Sequence, residues 1–488
     1  MNRLNFLLTI MISAAIVMAD VNIVTDQTQS APASGPAQSS KVRKVGKTHQ
    51  LFLDDELIDK IQGLERIVNQ PVKHHLNPVL TYDKPWEGNC VITWGSVLYD
   101  NDQKLFKVWY EVYKKFPPAD DWNTLLCYAA SRDGIIWEKP ELGLIEFHGS
   151  KANNIVFPPK RIYFDSPTVF ADPHPTDQSR YRMIYYDFGH YLGHKGIHTA
   201  TSPDGIHWKQ LDGTLEAGDR NTAGYDAVRK KFFVITRIIG RQPWMRTCGL
   251  WESDDGLSFQ FTDEIAAPDA NDPNGSDYYG MITFPYADMR IGFLETHYIS
   301  LRKLNTRLMY SHDGLNWRHV ADRQIFLQWG PPGSWDQIWV SPSHNPPIQV
   351  ANQLYIFYQG RKTLHSAQIP FGHIGSVGLA ILRLDGFVSL DSMWDQGSVT
   401  TTPLILEGQS LHINAEARPG TIWAEVLDTD GNPIPSFTRG DCVPMANLDS
   451  VDHTLKWKAG NTLTKLTDQT VKLRFYVQGA KLYSFWTE

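Results

Sequence analysis

Cysteine is scarce in this chain, with four among 488 residues: Cys90, Cys127, Cys248 and Cys442. They lie far apart and show none of the close Cys/His spacings of a zinc site. Isolated buried thiols are the reading, with a disulfide left open for an exported protein. Basic runs are missing too. Lys and Arg number 46 against 53 Asp and Glu, a formal charge of −7 without a stripe of either sign. That argues against nucleic acid as a partner, because phosphate backbones need a concentrated positive face. No long helical period stands out. The extended apolar run, Leu4 to Met18, follows Arg3 and ends in Val17-Met18-Ala19, which is the layout of a cleavable secretory signal rather than a membrane span. Residues 1–19 are therefore expected to be a signal peptide, the protein secreted or periplasmic, and no membrane involved after cleavage. Residues 20–47, with Ser30-Ala31-Pro32-Ala33-Ser34-Gly35, read as a disordered linker.

What the chain does have is a repeated phrase. Ser131-Arg132-Asp133-Gly134-Ile135-Ile136-Trp137 returns at Ser202 to Trp208, at Ser253 to Phe259 and at Ser311 to Trp317, and a worn copy stands at Arg383-Leu384-Asp385-Gly386-Phe387. The Asp-Gly pairs recur roughly every 50–70 residues, an interval that signals stacked or radially arranged sheets, with Asp-Gly as the turn between outer strands. Upstream of each turn stand an apolar strand, a polar hairpin and an aromatic-rich strand, as in Val91 to Tyr99 followed by Leu105 to Tyr110. The fold class is accordingly all-β: a five-bladed β-propeller over residues 48–395, closed onto its last blade by His49 to Ile58, with four-stranded blades around a channel. Past Asp391 the repeat stops and alternating strand text such as Ile422-Trp423-Ala424-Glu425-Val426 continues, so residues 396–488 are read as a C-terminal β-sandwich.

An acid stands at the head of each inner strand: Glu87, Asp165, Asp219, Asp277 and Asp336. Inner strands of a propeller run alike, so these five carboxylates are expected at one mouth of the channel, where like charges raise one another's pKa unless used or neutralised. For any one of them a turn or strand-capping role is the plainer reading. Trp86, Tyr163, Phe164, Tyr278, Tyr279, Trp335 and Trp339 flank the acids, and flat rings beside carboxylates suit the apolar face of a sugar, although such rings equally serve as core. Paired carboxylates are what glycosidic bond cleavage needs, one to give a proton and one to act as base or nucleophile.

On these features together, the blade count, the Ser-x-Asp-Gly-x-x-Trp turns, the acids and the C-terminal domain, the chain resembles the invertase-like and arabinanase-like glycoside hydrolases, families 32 and 43, over about residues 50–390. The resemblance implies an O-glycosyl hydrolase whose working acids come from the first three blades: Glu87 or one of Asp54 and Asp55, then Asp165, then Asp219 as general acid. The third-blade acid of those families is Glu, where this chain has Asp219. Their first-blade Asn-Asp-Pro-Asn-Gly is matched here by Asn271 to Gly275 ahead of the fourth blade, which is read as a turn. Phe170-Ala171-Asp172-Pro173 is similar to the families' Arg-Asp-Pro but falls at the far end of its strand.

Asp277, Asp336, Trp86, Tyr279, Trp335, His344 and Arg237 are expected to bind substrate, Arg237 and Arg361 because a guanidinium offers a rigid fork of donors. Glu295 reads either as a cleft residue or as the end of a middle strand. His190, His194 and His198 lack a recognised metal-ligand pattern. No cofactor is required on this reading, no metal residue is assigned, and the acid-lined channel could seat a structural calcium ion. The partner is a carbohydrate; the oligomeric state is not legible. Two alternatives stand beside hydrolysis. A polysaccharide lyase acting on a uronate would use His344, Tyr279 and Arg237, and a non-catalytic propeller would only bind sugar.

Overall fold

The repeated phrase folds in the same way four times. In the first copy Ser131 Oγ donates to Asp133 Oδ1 (2.9 Å) and accepts from the Gly134 N–H (2.9 Å), while Asp133 Oδ1 accepts from the N–H groups of Ile135 and Ile136 at 2.8 and 2.9 Å. Ser202 with Asp204, Ser253 with Asp255 and Ser311 with Asp313 repeat every one of these bonds. The Asp-Gly turn joins antiparallel outer strands, as expected: Lys195–Ser202 to Lys209–Gln210, Thr247–Ser253 to Gln260–Ala266 and Lys303–Ser311 to Arg318–His319. The Asp side chain substitutes for backbone and caps two N–H groups beyond the glycine, so the chain leaves in a wider bend. Burial alone would push the Asp204 carboxyl up, but the His207 N–H, the His207 side chain and the Ile206 N–H outweigh it and hold it at about 2.

The glycine is required by conformation and by space. Gly205 has φ of 83°, and a Cβ there would stand 2.4 Å from Cζ2 of Trp109, whose ring is fully buried and whose Nε1 donates to Gly205 O. Gly275 also has positive φ but nothing within 4 Å of its Cβ position. Gly205→Ala is therefore expected to cost about 3 kcal/mol in urea unfolding, from left-handed strain and overpacking, and Gly275→Ala only about 1 kcal/mol. Equal costs would mean that the Trp109 contact contributes nothing.

The computed structural model describes residues 42–116, 121–158, 164–189, 195–238, 245–364, 374–460 and 462–488, the side chains of 114–116, 121–123 and 459 excepted. The signal segment 1–19, most of the linker, and Tyr163, His190 and His194 lie outside them. Among the described residues there is no α-helix, and the chain is all-β. Five antiparallel sheets follow one another, led by Val91–Asp100, Phe164–Ala171, Asn221–Asp226, Ser276–Tyr286 and Trp339–Pro342. Their second strands are Leu105–Phe116, Tyr181–Phe188, Lys231–Ile238, Met289–Tyr298 and Gln353–Arg361. The fourth and fifth sheets are joined by a parallel pairing of Leu304 with Trp339.

Neighbouring sheets bond in order. The Val169 N–H donates to Ser96 Oγ (2.7 Å), Asn221 Nδ2 to Ser166 O (3.0 Å) and Thr222 Oγ1 to Met281 O (2.6 Å). The Leu304 N–H donates to Ile338 O (3.1 Å), and the His344 N–H returns to Gly95 O of the first sheet (3.1 Å). An apolar layer fills each gap. Val97, Phe106 and Val108 of the first sheet, for example, pack on Phe357, Val377 and Leu379 of the fifth.

The strand that completes the fifth sheet is Val72–Lys73, paired with Ala380 and Ile381, and not His49 to Ile58. Earlier residues go elsewhere: Gln50 pairs with Phe485, Ile58–Gln62 with Ser398 to Thr401, and Glu65–Val68 with Val388 to Asp391, all in one twelve-stranded sheet. Arg43–Val45, inside the expected linker, is a parallel strand on Leu404–Leu406. The reason is burial, since Val45, Phe52 and Leu57 fill the C-terminal core beside Leu473 and Phe485. All four cysteines are free and buried.

Candidate functional site

The five acids heading the leading strands do not share one cleft. Glu87 is fully buried and accepts from the Asp83 and Lys84 N–H groups, from Tyr110 Oη (2.5 Å) and from Lys139 Nζ (2.7 Å). Tyr110 and Glu111 are successive residues of one strand, so their side chains take opposite faces, and Glu87 is bound on the Tyr110 face. Asp336 is likewise held by Lys73 Nζ (2.5 Å) and Tyr358 Oη (3.1 Å), on the face opposite Gln359. Trp86 donates to Asn154 Oδ1 (2.8 Å), and Trp335 stacks on Tyr358 at 5.6 Å between centroids. These four are structural. Asp54 pairs with His312 (2.7 Å) and Asp55 with Arg66. The expected like-charge crowd is absent because the acids have their own cations: Lys139 for Glu87, Arg237 for Asp219, Arg246 for Asp277 and Lys73 for Asp336.

Asp165, Asp219, Asp277, Tyr279, Arg237 and His344 do come together, with residues the sequence did not single out. Glu111 is fully buried in the second strand of the first sheet. Burial, then the neighbouring Asp165, pushes its carboxyl well above the usual range, against the opposing pull of Tyr113, the Ser166 backbone and Arg361. Asp165 is also raised by burial, but Ser166 Oγ donates to it at 2.8 Å, and Tyr113, Arg220 and Arg361 act to lower it. The two acids thus form a coupled buried pair, each carboxyl pushed up by burial.

Beside them lies a second buried polar group. Arg220 grips Glu295 with Nε (3.0 Å) and Nη2 (2.5 Å), and Ser341 Oγ donates to the same carboxylate. Burial and the Arg220 charge hold His344 well below its ordinary value. It is neutral, its Nε2 accepts from Arg220 Nη1 (2.5 Å), and its Nδ1–H therefore faces Thr168 Oγ1 at 2.8 Å.

Aromatic rings form the floor. Trp94 stacks on Tyr279 (6.0 Å, 22°), and Tyr279 meets Trp339 edge-on (4.9 Å, 88°). The Arg220 and Arg361 guanidiniums lie 5.1 and 4.3 Å from the Trp94 ring, and Arg237 and Arg246 each 5.2 Å from that of Tyr279. Three leading strands break register where they reach this floor, between Ile92 and Ser96, Asp165 and Thr168, and Tyr278 and Gly280. Such bulges re-aim side chains, here Trp94, Ser166 and Tyr279. Ser166 has φ of 53° to do so. At the rim, Asp219 pairs with Arg237, and Asp277 accepts from Arg246 (2.5 Å) beside His297 Nδ1 (3.0 Å).

Among the described residues, the group whose spacing suits a cation is Asp54, Glu56 and His312, not the acids of the floor, and Arg43 already pairs with Glu56 at 2.6 Å. Asp172 is bound by Arg182 (3.1 Å) and Asp272 by Arg307 (2.8 Å), so both motif-like acids are structural.

No family model and no curated protein matches the chain. Solved structures similar to it include an exo-inulinase from Aspergillus awamori, 12% identical over 86% of this chain and 99% of that one with a TM-score of 0.41. An N-acetylgalactosamine deacetylase from F. plautii, in complex with blood group B trisaccharide, is 14% identical over 71% and 96% with a TM-score of 0.41. A family 117 glycoside hydrolase from Zobellia galactanivorans is 12% identical over 67% and 92% with a TM-score of 0.40.

Proposed function

We propose that the five sheets are the blades of a β-propeller, that the twelve-stranded sheet is a β-sandwich domain, and that the chain is an exported glycoside hydrolase acting on a poly- or oligosaccharide. The observation that carries the proposal is the buried Glu111–Asp165 pair, which neighbours the Trp94–Tyr279 rings through Tyr113. Two carboxyls whose surroundings separate their affinities for a proton are the equipment of glycosidic cleavage. Glu111, kept protonated by burial and by Asp165, gives a proton to the leaving oxygen. Asp165, with Ser166 donating to it and the Arg220 and Arg361 charges favouring its ionised form, serves as base or nucleophile. Asp219 and Arg237 stand at the rim and orient hydroxyls.

Lyase chemistry has less support, since His344, one of its two candidate bases beside Tyr279, is engaged on both nitrogens. The test is product analysis of the full chain on a panel of polysaccharides. Release of reducing sugar without ultraviolet absorbance is expected; an absorbing unsaturated product, or no cleavage of any glycan, would overturn the reading.

A further inference from the structure

Four arginines reach the floor and rim, and three have a carboxylate: Arg220 has Glu295, Arg237 has Asp219 and Arg246 has Asp277. Arg361 has none among the described residues. It is only 3% exposed, and among the described residues its Nε has no hydrogen-bond partner and its side chain makes one long bond of 3.5 Å, from Nη2 to Gln359 Oε1. Rings surround it instead, with Trp94 at 4.3 Å, Trp339 at 5.1 Å and Tyr113 at 6.0 Å.

A guanidinium cannot shed its charge, and Arg361 acts on Asp165 and Glu111 through space without an ion pair to either among the described residues, so its donors are unmet. Two further donors are in the same condition. Gln359 Nε2 and Trp94 Nε1 are both buried without a partner. Gln359 and Arg361 stand two apart on one strand, so they share a face, and Trp94 is in ring contact with Arg361. Three unmet donors therefore stand on three neighbouring side chains, one of them a fixed positive charge. Side-chain exposure rises from Arg361 through Arg237 at 10% to Arg246 at 29% and Asp219 at 30%. Tyr279 touches both rim arginines and Trp94, which links rim to floor.

We propose that Arg361, Gln359 and Trp94 form an anion subsite in the floor, and that the sugar bound beside Asp165 carries a negative substituent, a carboxylate or a sulfate ester. The fork of Arg361 takes two of its oxygens, and the Gln359 amide and Trp94 indole supply further donors. This rests on the glycan-binding part of the reading above and names the class of glycan. Arg361 is a specificity-determining residue here, besides the charge it lends to the ionised form of Asp165.

The test is calorimetric titration of the full chain, at constant ionic strength, with sodium galacturonate, sodium glucuronate and galactose 6-sulfate, each against galactose or glucose. The wild type is expected to bind a charged sugar about tenfold or more tightly than its neutral parent, and the better of the two anions identifies the substituent. Arg361→Gln should abolish that preference, and Arg361→Lys, which keeps the charge without the fork, should retain part of it. A wild type without preference for the charged sugar overturns the proposal, whatever the variants do. So does an Arg361→Gln protein that melts as a folded chain and keeps the preference. Binding is read without cleavage. Charged sugar held through Arg361 with no glycan cleaved would sink the hydrolase and leave the subsite; cleavage of a neutral glycan with no preference would do the reverse.

Discussion

Asp165→Asn is expected to lower kcat by about 10³-fold on whichever glycan the wild type cleaves, and Glu111→Gln by a similar factor, because proton transfer by a placed carboxyl contributes on that scale. Glu87→Gln and Asp336→Asn should leave kcat within a few-fold and reduce stability instead, since they disturb ion pairs with Lys139 and Lys73. Steady-state kinetics of the four folded variants decides. Full activity in Asp165→Asn would remove the pair from catalysis. The acid Glu111 also carries a pH signature in stability. Its folded-state pKa lies above the ordinary 4.5, so the folded chain holds this proton more tightly than the unfolded one. The resulting stabilisation is full below about pH 4.5 and is lost as pH rises through the folded value, with a limiting slope of about 1.4 kcal/mol per pH unit. Glu111→Gln should therefore melt higher than wild type at pH 8 and close to it at pH 4. A difference that does not change with pH would mean that Glu111 titrates normally.

Arg220→Met is expected to be the costliest single substitution for stability, at about 3–5 kcal/mol. It strands the Glu295 carboxylate, which is fully buried, without its cation. The double variant Arg220→Met, Glu295→Leu should recover most of that loss, because an apolar pair of similar volume removes both charges. His344 supplies a second readout. Without the Arg220 charge its imidazole should titrate closer to the ordinary range, visible in the proton shifts of the ring. An Arg220→Met protein that unfolds in denaturant no sooner than wild type would show that the pair is not what holds Glu295.

Much of this architecture is legible in the sequence, for a local reason. The Ser-x-Asp-Gly phrase carries its own hydrogen bonds within six residues, so repetition of the phrase means repetition of the turn. The acids at the strand heads are legible as a pattern, but their direction is not. Glu87 and Asp336 turn to the faces of Tyr110 and Tyr358, a matter of pleat and register that no local phrase records. Glu111 escaped because Val108-Trp109-Tyr110-Glu111-Val112-Tyr113 reads as ordinary strand text. Its signal was present all the same: a lone charge in an otherwise apolar and aromatic run, at the alternation shared by Trp109 and Tyr113. Glu295, Arg237 and Arg361 occupy comparable places near the ends of second strands. The floor is thus built from second strands as much as from leading ones. The bulges that aim Trp94 and Tyr279 depend on pairing with a partner strand, which only the folded sheet supplies.

The weaving of residues 43–68 into the same sheet as 388–487 has a consequence for how the chain is made. Gln50 must wait for Phe485, 435 positions later, so the first strands to be synthesised are among the last to find partners. The first three sheets and the fourth can each assemble as their text emerges, since their strands are adjacent in sequence. The early strands remain open edges until the end, and open edges attract other chains. Cutting the chain near residue 395 would leave Arg43–Val45, Gln50–Leu51 and Ile58–Gln62 permanently bare, with Glu65–Val68 keeping its partner. A shortened protein of this kind is expected to aggregate even though every residue of its five sheets is present.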